Sequence, residues 1–201
     1  MEDFWGNVSP SEHVLQLYED HEEFFNVLAG YVSAGLRSGD AVVIIATPDH
    51  LAGLEERLRQ QGFDLFTLGL RDQYIPLDAE ETLSQFVIDD WPDLNLCHYL
   101  LTNLLLRARK GNRKVRMYGE MVALLLERGL TDATLFLEEW WGRQAHEEGF
   151  SIFCAYPRHG FSTTSVECLA RVCTCHSRLV TAADEADELL VKEVALPPVA
   201  H

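Results

Sequence analysis

The sequence predicts an α/β fold in which a mostly parallel sheet carries helices on both faces, giving three layers. Residues 41–46 form a continuous apolar run rich in β-branched side chains, which is typical of a strand covered on both faces. Helical patterns alternate with apolar strands along the chain, and right-handed crossovers convert that alternation into a parallel sheet. Neither a linker nor an internal repeat divides the 201 residues, so one domain is expected.

The first ten residues lack a firm pattern, and the predicted elements of the first half then alternate in type. They are a helix over 20–37 closed by Gly39, the strand at 41–46, a helix over 48–61, a short strand at 62–65, a strand at 74–77, a helix over 80–87 and a longer helix over 94–110. No strand is predicted before residue 41. The order of elements therefore begins with a helix.

The second half continues the alternation and ends in helices. Its predicted elements are a strand at 114–118, helices over 120–128 and 131–147, a strand at 151–156, a helix over 165–179 and a further helix over 184–194. Pro197 and Pro198 then end the regular structure.

Composition and charge exclude several classes of function. With 16 basic against 32 acidic residues the formal charge is −16, which repels phosphate backbones and anionic lipid headgroups. We therefore expect neither a nucleic acid nor a membrane as a direct partner.

No apolar run approaches the roughly 20 residues of a membrane helix, and the acidic start lacks the pattern of a signal peptide, so a cytoplasmic location is expected. Five cysteines, an odd number, indicate reduced thiols rather than a disulfide framework.

The most informative stretch joins a strand to a helix at residues 114–125. Polar and apolar residues alternate in its strand part, Gly119 permits a tight turn, and Glu120 opens a helix whose positive N-terminus favours a carboxylate. Arg116, Tyr118 and Glu120 are therefore expected near the carboxyl edge of the sheet, where open sheets bind ligands. Arg116 and Glu120 form either a ligand-binding pair or an internal ion pair that orients the strand and the helix.

Five further residues are predicted to surround the same crevice. Thr47 and Asp78 each follow a strand, and they either contribute to the rim or cap the next helix through the backbone bonds that Thr and Asp accept. His13 and Tyr18 stand before the first predicted helix, and they either cap the mouth of the pocket or anchor the chain locally. Tyr156 ends the last predicted strand, where its phenol could complete a pocket lined by apolar and aromatic groups.

A dense group of thiols near the end of the chain leaves two interpretations open. The group consists of Cys168, Cys173, Cys175 and His176. Its density suits a metal site or a thiol sensor. However, the C-x-C-H spacing matches no zinc or haem motif, and on one helix Cys173 points away from Cys168 and Cys175. Buried free thiols are the favoured account, so no metal site is predicted.

Several separated motifs occur in an order that resembles a known family. They are H-x-x-Q-x-Y at 13–18, G-L-x-x-G-D at 35–40, T-P at 47–48, L-D-A at 77–79, R-x-Y-G-E-M-V-A-L-L at 116–125, L-E-x-x-W at 137–141, F-S-I-F-C-A-Y-P at 150–157 and C-H-S at 175–177. Together they resemble the MEDS family, the DcmR-like sensory domains of bacterial and archaeal signalling proteins, over residues 11–180. Residues 181–201 are then expected to form a C-terminal helical extension and tail.

The resemblance implies a degenerate RecA- and KaiC-like fold, since MEDS domains are similar to that class of ATPases. The nucleotide machinery is missing from the sequence, because no Gly-Lys-Ser/Thr occurs and the only lysines are Lys110, Lys114 and Lys192. Without a phosphate cradle or its cation, ATP hydrolysis is not expected. No G-x-S-x-G elbow indicates a hydrolase, and no cofactor is predicted.

The function that the resemblance implies is that of a non-enzymatic sensory domain. Such a domain would bind a small-molecule ligand, with hydrocarbon derivatives as the implied class, or a signalling partner protein. No output domain is expected within these residues, so a signal would pass through a partner or through self-association as a homo-oligomer. Two other classes stay open: a degenerate nucleotide-binding module, and a redox or metal sensor built on the cysteine group.

Overall fold

The computed structural model describes residues 5–6, 8–161, 166–182 and 189–193, and seven of its strands form one sheet. The strands in chain order are β1 (His13–Tyr18), β2 (Ala41–Ala46), β3 (Tyr74–Asp78), β4 (Val87–Ile88), β5 (Trp91–Pro92), β6 (Val115–Gly119), β7 (Ser151–Pro157), β8 (Arg178–Ala182) and β9 (Leu189–Glu193). The short strands β4 and β5 pair with each other as a separate antiparallel ladder.

Helices connect most of the strands. They are α1 (His21–Arg37), α2 (Pro48–Gln60), α3 (Leu65–Leu70), α4 (Ala79–Ser84), α5 (Leu94–Ala108), α6 (Met121–Glu127), α7 (Thr131–Glu148) and α8 (Val166–Thr174), with a 3-10 turn at Arg158–Phe161. Aspartate caps such as Asp20 and Asp93 accept hydrogen bonds from backbone N–H groups of the first turn, which stabilises a helix by ~1 kcal/mol. Among the residues described, no helix combines the length and apolar character that crossing a bilayer requires.

The order of strands across the sheet is β3-β2-β6-β7-β1-β8-β9. Every neighbouring pair from β3 to β8 is parallel, and β9 runs antiparallel to β8. The prediction of a three-layer α/β fold with a mostly parallel sheet is thereby confirmed. The register aligns the carboxyl ends of three strands, because Ile45 of β2 lies opposite both Leu77 of β3 and Gly119 of β6.

Side chains of successive strand residues pack into two apolar clusters, one on each face of the sheet. Val42 and Ile44 belong to the cluster that includes α1 and α2, whereas Val43 and Ile45 belong to the cluster that includes α4 to α8. All four side chains are at most 2% exposed. Full burial of one such side chain stabilises the fold by about 1.5–3 kcal/mol. Helices on both faces therefore account for the unbroken apolar run of β2.

A strand precedes β2, and the prediction that none does is wrong. β1 lies inside the sheet between β7 and β8, and all of its residues except Leu17 are buried. Its sequence is H-V-L-Q-L-Y, in which His13 and Gln16 interrupt the apolar run that marks a central strand such as β2. The burial of these polar residues depends on partner strands that lie far along the chain.

The last elements and two short ones also differ from their predictions. α8 ends at Thr174 instead of continuing to residue 179, and the chain then enters β8 beside β1. The helix predicted over 184–194 is wrong for its described residues, because 189–193 form β9. Pairing with an existing sheet overrides a local helical pattern. Residues 62–65 are not a strand, since α3 begins at Leu65, and the helix expected over 80–87 ends at Ser84.

One edge of the sheet is formed by β3, which contains Pro76. The carbonyl of Gln73 accepts the N–H of Val42 at 2.8 Å, which fixes the side of the β3 backbone that faces β2. Because a strand has a period of two residues, the backbone at Pro76 faces away from β2. The outer side of β3 therefore lacks a donor at this position.

Candidate functional site

Glu120 is the centre of a hydrogen-bonded group at the carboxyl edge of β2 and β6. Its backbone N–H donates to the carbonyl of Ile45 at 2.9 Å, which fixes it directly after β6. Its carboxylate accepts from Nδ1 of His50 at 2.6 Å and from the hydroxyl of Tyr118 at 2.8 Å, both at Oε1. Oε2 accepts from the N–H of Thr47 at 2.8 Å. Glu120 is 5% exposed, so three donors satisfy a carboxylate that is almost out of water.

Aromatic rings lie around the residues that bond to Glu120. Phe24 stacks on Tyr18 with ring centroids 4.7 Å apart, and it also contacts His50 at 4.8 Å. His21 lies 5.6 Å from His50, and Phe24 lies 6.1 Å from Tyr118. The side chain of His50 is 18% exposed, whereas that of Glu120 is 7% exposed. His50 is therefore the member of the Glu120 hydrogen-bonded group that reaches the surface.

The surroundings set the protonation of the phenols and the imidazole. Burial, followed by the charge of Glu120, raises the pKa of Tyr18 and of Tyr118 above the ordinary value. Burial by itself lowers the pKa of His50, but the hydrogen bond and the charge of Glu120 outweigh burial, and the pKa is raised. Both phenols hence remain donors at neutral pH. The imidazole of His50 keeps its proton to a higher pH than an ordinary histidine does.

The connection between β1 and α1 occupies the place where a phosphate-binding loop would follow the first strand. It consists of Glu19 and Asp20, and Asp20 uses its side chain to accept the N–H of Glu22 at 2.9 Å. A phosphate-binding loop needs a longer glycine-rich segment and a lysine. Two carboxylates in a two-residue connection neither wrap nor attract a triphosphate.

Arg116 does not pair with Glu120, contrary to the predicted pairing of strand and helix. The two residues lie four positions apart at opposite ends of β6, about 13 Å at the usual rise of a strand. Nε of Arg116 donates to Oδ2 of Asp40 at 2.8 Å, and Nη1 donates to the carbonyl of Trp5 at 2.7 Å. Arg116 is 4% exposed and lies away from the carboxyl edge. Arg116 therefore forms an internal ion pair with Asp40, and not with Glu120 as predicted.

Two of the predicted rim residues begin helices. Asp78 accepts the N–H of Glu81 at 2.8 Å and thereby caps α4. Thr47 precedes α2, and its side chain makes no capping bond, whereas its backbone N–H binds Glu120. The capping alternative thus holds for Asp78, while Thr47 belongs to the Glu120 group through its backbone.

His13 and Tyr156 lie in a second group, which is fully buried and distinct from the carboxyl edge. The hydroxyl of Tyr156 donates to Oε1 of Glu138, in the middle of α7. Nε2 of His13 lies 3.4 Å from Oε2 of the same carboxylate, and Nε2 of His176 lies 3.7 Å from it. Burial, and after it the charge of His13, lowers the pKa of His176 to about 3. His13 is thus the first residue of an interior strand rather than a cap on a pocket mouth.

Sequence reasoning missed His50 and the partners of His13. The signal for His50 was its position in the first turn of α2, three residues after Thr47, where a side chain can face the neighbouring strand end. For Cys154 and Glu138 the signal was weaker, because Cys154 lies inside an apolar strand and Glu138 inside a buried helix face. Of the predicted group, Tyr18, Tyr118, Thr47 and Glu120 come together at the carboxyl edge.

A small cavity beside Tyr118 and a groove on the helical surface are concave features of the described residues. A cavity of about 10 Å³ is lined by apolar residues including Ile45, Met121 and Trp141, and it is too small for a ligand. A groove of about 360 Å³ lies between α5 and α7, with Leu101 and Leu105 among its lining residues. Three large apolar side chains on α5 are exposed: Leu96, Tyr99 and Leu106. An exposed apolar helix face of this kind is typical of an interaction surface.

Comparisons with known proteins agree with this architecture. The family model described as MEDS, the methanogen/methylotroph DcmR sensory domain, matches residues 12–176. A KaiC-like protein from the hyperthermophilic archaeon Pyrococcus horikoshii OT3 is 14% identical with a TM-score of 0.58, over 92% of this chain and 81% of that protein. A second protein of the same archaeon is 13% identical with a TM-score of 0.60, over 99% and 94% of the two chains. At these identities the likeness concerns the fold alone. Among curated proteins, none matches the sequence.

Proposed function

Because the chain belongs to the MEDS family of sensory domains, we propose that it is a non-enzymatic sensor that binds a small molecule at the carboxyl edge around His50 and Glu120. Family membership supports a role in sensing or signalling. The place of the ligand, and its chemical character, are inferred from the geometry of the Glu120 group.

The contact between His50 and Glu120 carries this proposal. A buried carboxylate holds a partly exposed imidazole at the ends of parallel strands, which is where open α/β sheets bind ligands. The rings of His21 and Phe24 flank the imidazole, and Tyr18 contacts both of those rings. Such a surface favours a small molecule with an apolar body and one polar group that bonds to Nε2 of His50.

Charge argues against an anionic ligand at this edge. Glu120 lies in the group itself, Glu19 and Asp20 lie in the connection after β1, and Asp49 lies in the first turn of α2. Four carboxylates at this edge of the sheet disfavour phosphates and carboxylic acids. The short acidic connection after β1 also gives ATP hydrolysis no means of holding the phosphates. A neutral hydrocarbon derivative, the class implied by the family, agrees with both features.

The Glu120 group also offers a route from ligand to signal. A ligand that bonds to His50 acts on Glu120, which holds the N–H at the start of α2 and itself begins α6. A ligand that prefers one position of His50 would therefore shift the relative placement of two helix N-termini. The exposed apolar face of α5 is the surface that favours the second candidate function, docking of a signalling partner protein.

A thermal-shift panel tests the proposal. The chain is screened against ATP, ADP and cyclic dinucleotides, and separately against small neutral alcohols and halogenated hydrocarbons. A ligand at about 100 times its dissociation constant stabilises by ~2.7 kcal/mol, which a melting curve detects. We expect shifts from the neutral compounds only. The shift should vanish in His50→Gln and persist in Glu56→Gln, a variant of an exposed carboxylate on the same helix.

Two results would contradict the proposal. A shift by nucleotides that exceeds the shift by neutral compounds would support a degenerate nucleotide-binding module instead. A shift by a neutral compound that survives in folded His50→Gln would place the ligand elsewhere in the chain.

A further inference from the structure

Four side chains from separate segments bring metal-binding atoms together in the interior. They are His13 of β1, Glu138 of α7, Cys154 of β7 and His176 after α8, and one ligand atom from each lies within 4.8 Å of all the others. None of the four residues is more than 4% exposed. The group contains the three ligand types that zinc prefers in proteins: imidazole nitrogen, thiolate sulfur and carboxylate oxygen.

Hydrogen bonds fix the orientation of both imidazoles. Nδ1 of His13 lies 2.9 Å from the carbonyl of Cys175, and Nδ1 of His176 lies 2.7 Å from the carbonyl of Val172. Since a carbonyl only accepts, each Nδ1 carries the hydrogen. Each Nε2 of a neutral ring consequently directs a lone pair toward Oε2 of Glu138. This is the tautomer in which metal-bound histidines occur, with a backbone carbonyl as outer partner.

One acceptor in the interior of the group has no donor. Nε2 of His176 has no hydrogen-bond partner although the residue is fully buried, and Oε2 of Glu138 lies close to the Nε2 atoms of both imidazoles. Acceptors that face one another without water repel, and each unsatisfied buried group costs about 1–3 kcal/mol. A bridging proton could satisfy one pair of atoms. A cation at the centre would satisfy all four at once.

Four of the six separations among the ligand atoms lie near those of a tetrahedral ion. Zinc bonds of about 2.0–2.3 Å to nitrogen, oxygen and sulfur give ligand-to-ligand separations of about 3.3–3.6 Å in a tetrahedron. The separations from Nε2 of His13 are 3.3 Å to Sγ of Cys154 and 3.4 Å to Oε2 of Glu138. Those from the same Oε2 are 3.7 Å to Nε2 of His176 and 3.9 Å to Sγ of Cys154. The two remaining separations lie within 4.8 Å and must shorten by up to about 1.3 Å for the tetrahedron to close.

We propose that His13, Glu138, Cys154 and His176 form a closed tetrahedral site for a divalent first-row transition metal, zinc before the others. One carboxylate and one thiolate neutralise the charge of the ion, so a net neutral site is buried. The thiol proton of Cys154 leaves to solvent when the ion binds. The mixed nitrogen, oxygen and sulfur set favours zinc over magnesium or calcium, which prefer oxygen alone.

Neighbouring groups support the four ligands from outside. Tyr156 donates to Oε1 of Glu138 and leaves Oε2 free for the ion. Gly142 of α7 lets the His13 ring approach, since a Cβ at that position would lie 3.2 Å from Nδ1. With four protein ligands no coordination position is open, which is the arrangement of structural rather than catalytic zinc. The ion would join β1, β7, α7 and the segment after α8, apart from the proposed ligand site at Glu120.

The test uses the full chain after removal of metal with a chelator and reloading with Zn²⁺ or Co²⁺. We expect one equivalent of either metal by elemental analysis and a higher melting temperature for the loaded form. Cobalt should give the intense visible bands of a tetrahedral ion together with a near-ultraviolet thiolate charge-transfer band. X-ray absorption of the zinc form should show one sulfur neighbour among nitrogen and oxygen neighbours. The last two measurements require no variant, so they decide the matter even if variants fail to fold.

Variants then assign the ligands. Cys154→Ser should lose the charge-transfer band, and His176→Gln should lose the bound metal, whereas Cys175→Ser should keep both. A folded metal-free chain that takes up neither Zn²⁺ nor Co²⁺ would overturn the proposal. So would a charge-transfer band that disappears in Cys175→Ser and persists in Cys154→Ser, because that result moves the site to the thiols after α8.

Discussion

The carboxylate of Glu120 and the imidazole of His50 form a 2.6 Å hydrogen bond that joins the end of β6 to the first turn of α2. Neither residue is close to the other in the chain, and the contact exists because β2 and β6 are neighbours that end at the same level. The same carboxylate holds Tyr118 and the N–H of Thr47. One buried side chain thus determines the arrangement of the carboxyl edge.

Glu120→Gln should destabilise the fold moderately. The amide preserves shape but can accept at only one of its two polar atoms, so at least one of the three donors loses its partner. Leaving a buried donor unsatisfied costs about 1–3 kcal/mol. The free energy of unfolding in urea should fall by that amount, whereas the exposed Glu56→Gln should change it by at most ~0.5 kcal/mol. Equal stabilities of the two variants would show that the carboxylate is not needed for the fold.

His50 should make stability depend on pH near neutrality. Its pKa in the folded chain is raised from the ordinary 6.5, so the folded state binds the proton more tightly than the unfolded state. This contribution is fully present below pH 6.5 and is lost as the pH rises through the raised pKa. The difference in unfolding free energy between the wild type and His50→Gln should therefore shrink as the pH rises above 6.5. A difference that stays constant across that range would contradict the pairing with Glu120.

Removing Arg116 should destabilise the fold without altering ligand binding. Arg116→Met leaves Asp40 buried without its counter-charge, which costs about 3–5 kcal/mol for a fully buried pair. Adding Asp40→Leu should recover much of that loss, because the uncompensated charge is removed as well. Urea unfolding of the single and double variants measures both effects. Since Arg116 lies far from Glu120 along β6, a ligand-induced thermal shift should persist in the folded double variant, and its loss would return Arg116 to the binding site.

Gly35→Ala should destabilise α1, although alanine is the better helix former. A Cβ at Gly35 would lie 2.7 Å from Cδ and 2.9 Å from Nε of Arg116. Asp40 and the carbonyl of Trp5 hold that guanidinium in place, so it cannot move aside without losing hydrogen bonds. We expect a loss of about 1–3 kcal/mol in unfolding free energy.

Gly69→Ala is the matched control for Gly35→Ala. Gly69 is also a helical glycine, but its nearest neighbour to a new Cβ is a carbonyl 3.9 Å away. The helix propensity of alanine should then stabilise the chain by up to ~1 kcal/mol. If Gly35→Ala also stabilises the chain, the buried contact between α1 and β6 is looser than the distances indicate.

The sequence predicts much of the fold where burial is local and continuous. The apolar runs of β2 and β7 and the pattern of α7 lead to the observed elements within a residue or so. β1 was missed because His13 and Gln16 are buried only after β7 and β8, from far along the chain, close over them. The start of β8 and all of β9 fall in segments predicted as helix, because strand character there depends on the pairing of β8 with β1 and of β9 with β8.

The same distinction applies to the candidate sites: contacts within one segment could be predicted, and contacts between distant segments could not. The turn at Gly119 places Tyr118 and Glu120 together at the carboxyl edge, because one short segment contains both the end of the strand and the start of the helix. His50 and Asp40 could not be assigned as partners, because strand order decides which junctions meet and sequence spacing does not encode that order. The buried imidazole, thiol and carboxylate set comes from four segments between residues 13 and 176. Of Cys168, Cys173, Cys175 and His176, the dense group noted in the sequence, only His176 belongs to this buried set.

Pro76 in the edge strand β3 limits how copies of this protein can assemble. A second chain that added a strand there would find no N–H at the middle of the exposed border, so the new ladder would be interrupted where it should be strongest. At the opposite side of the sheet, β9 reverses the strand direction and occupies the border of β8. Growth into fibres by strand pairing is thereby discouraged at β3.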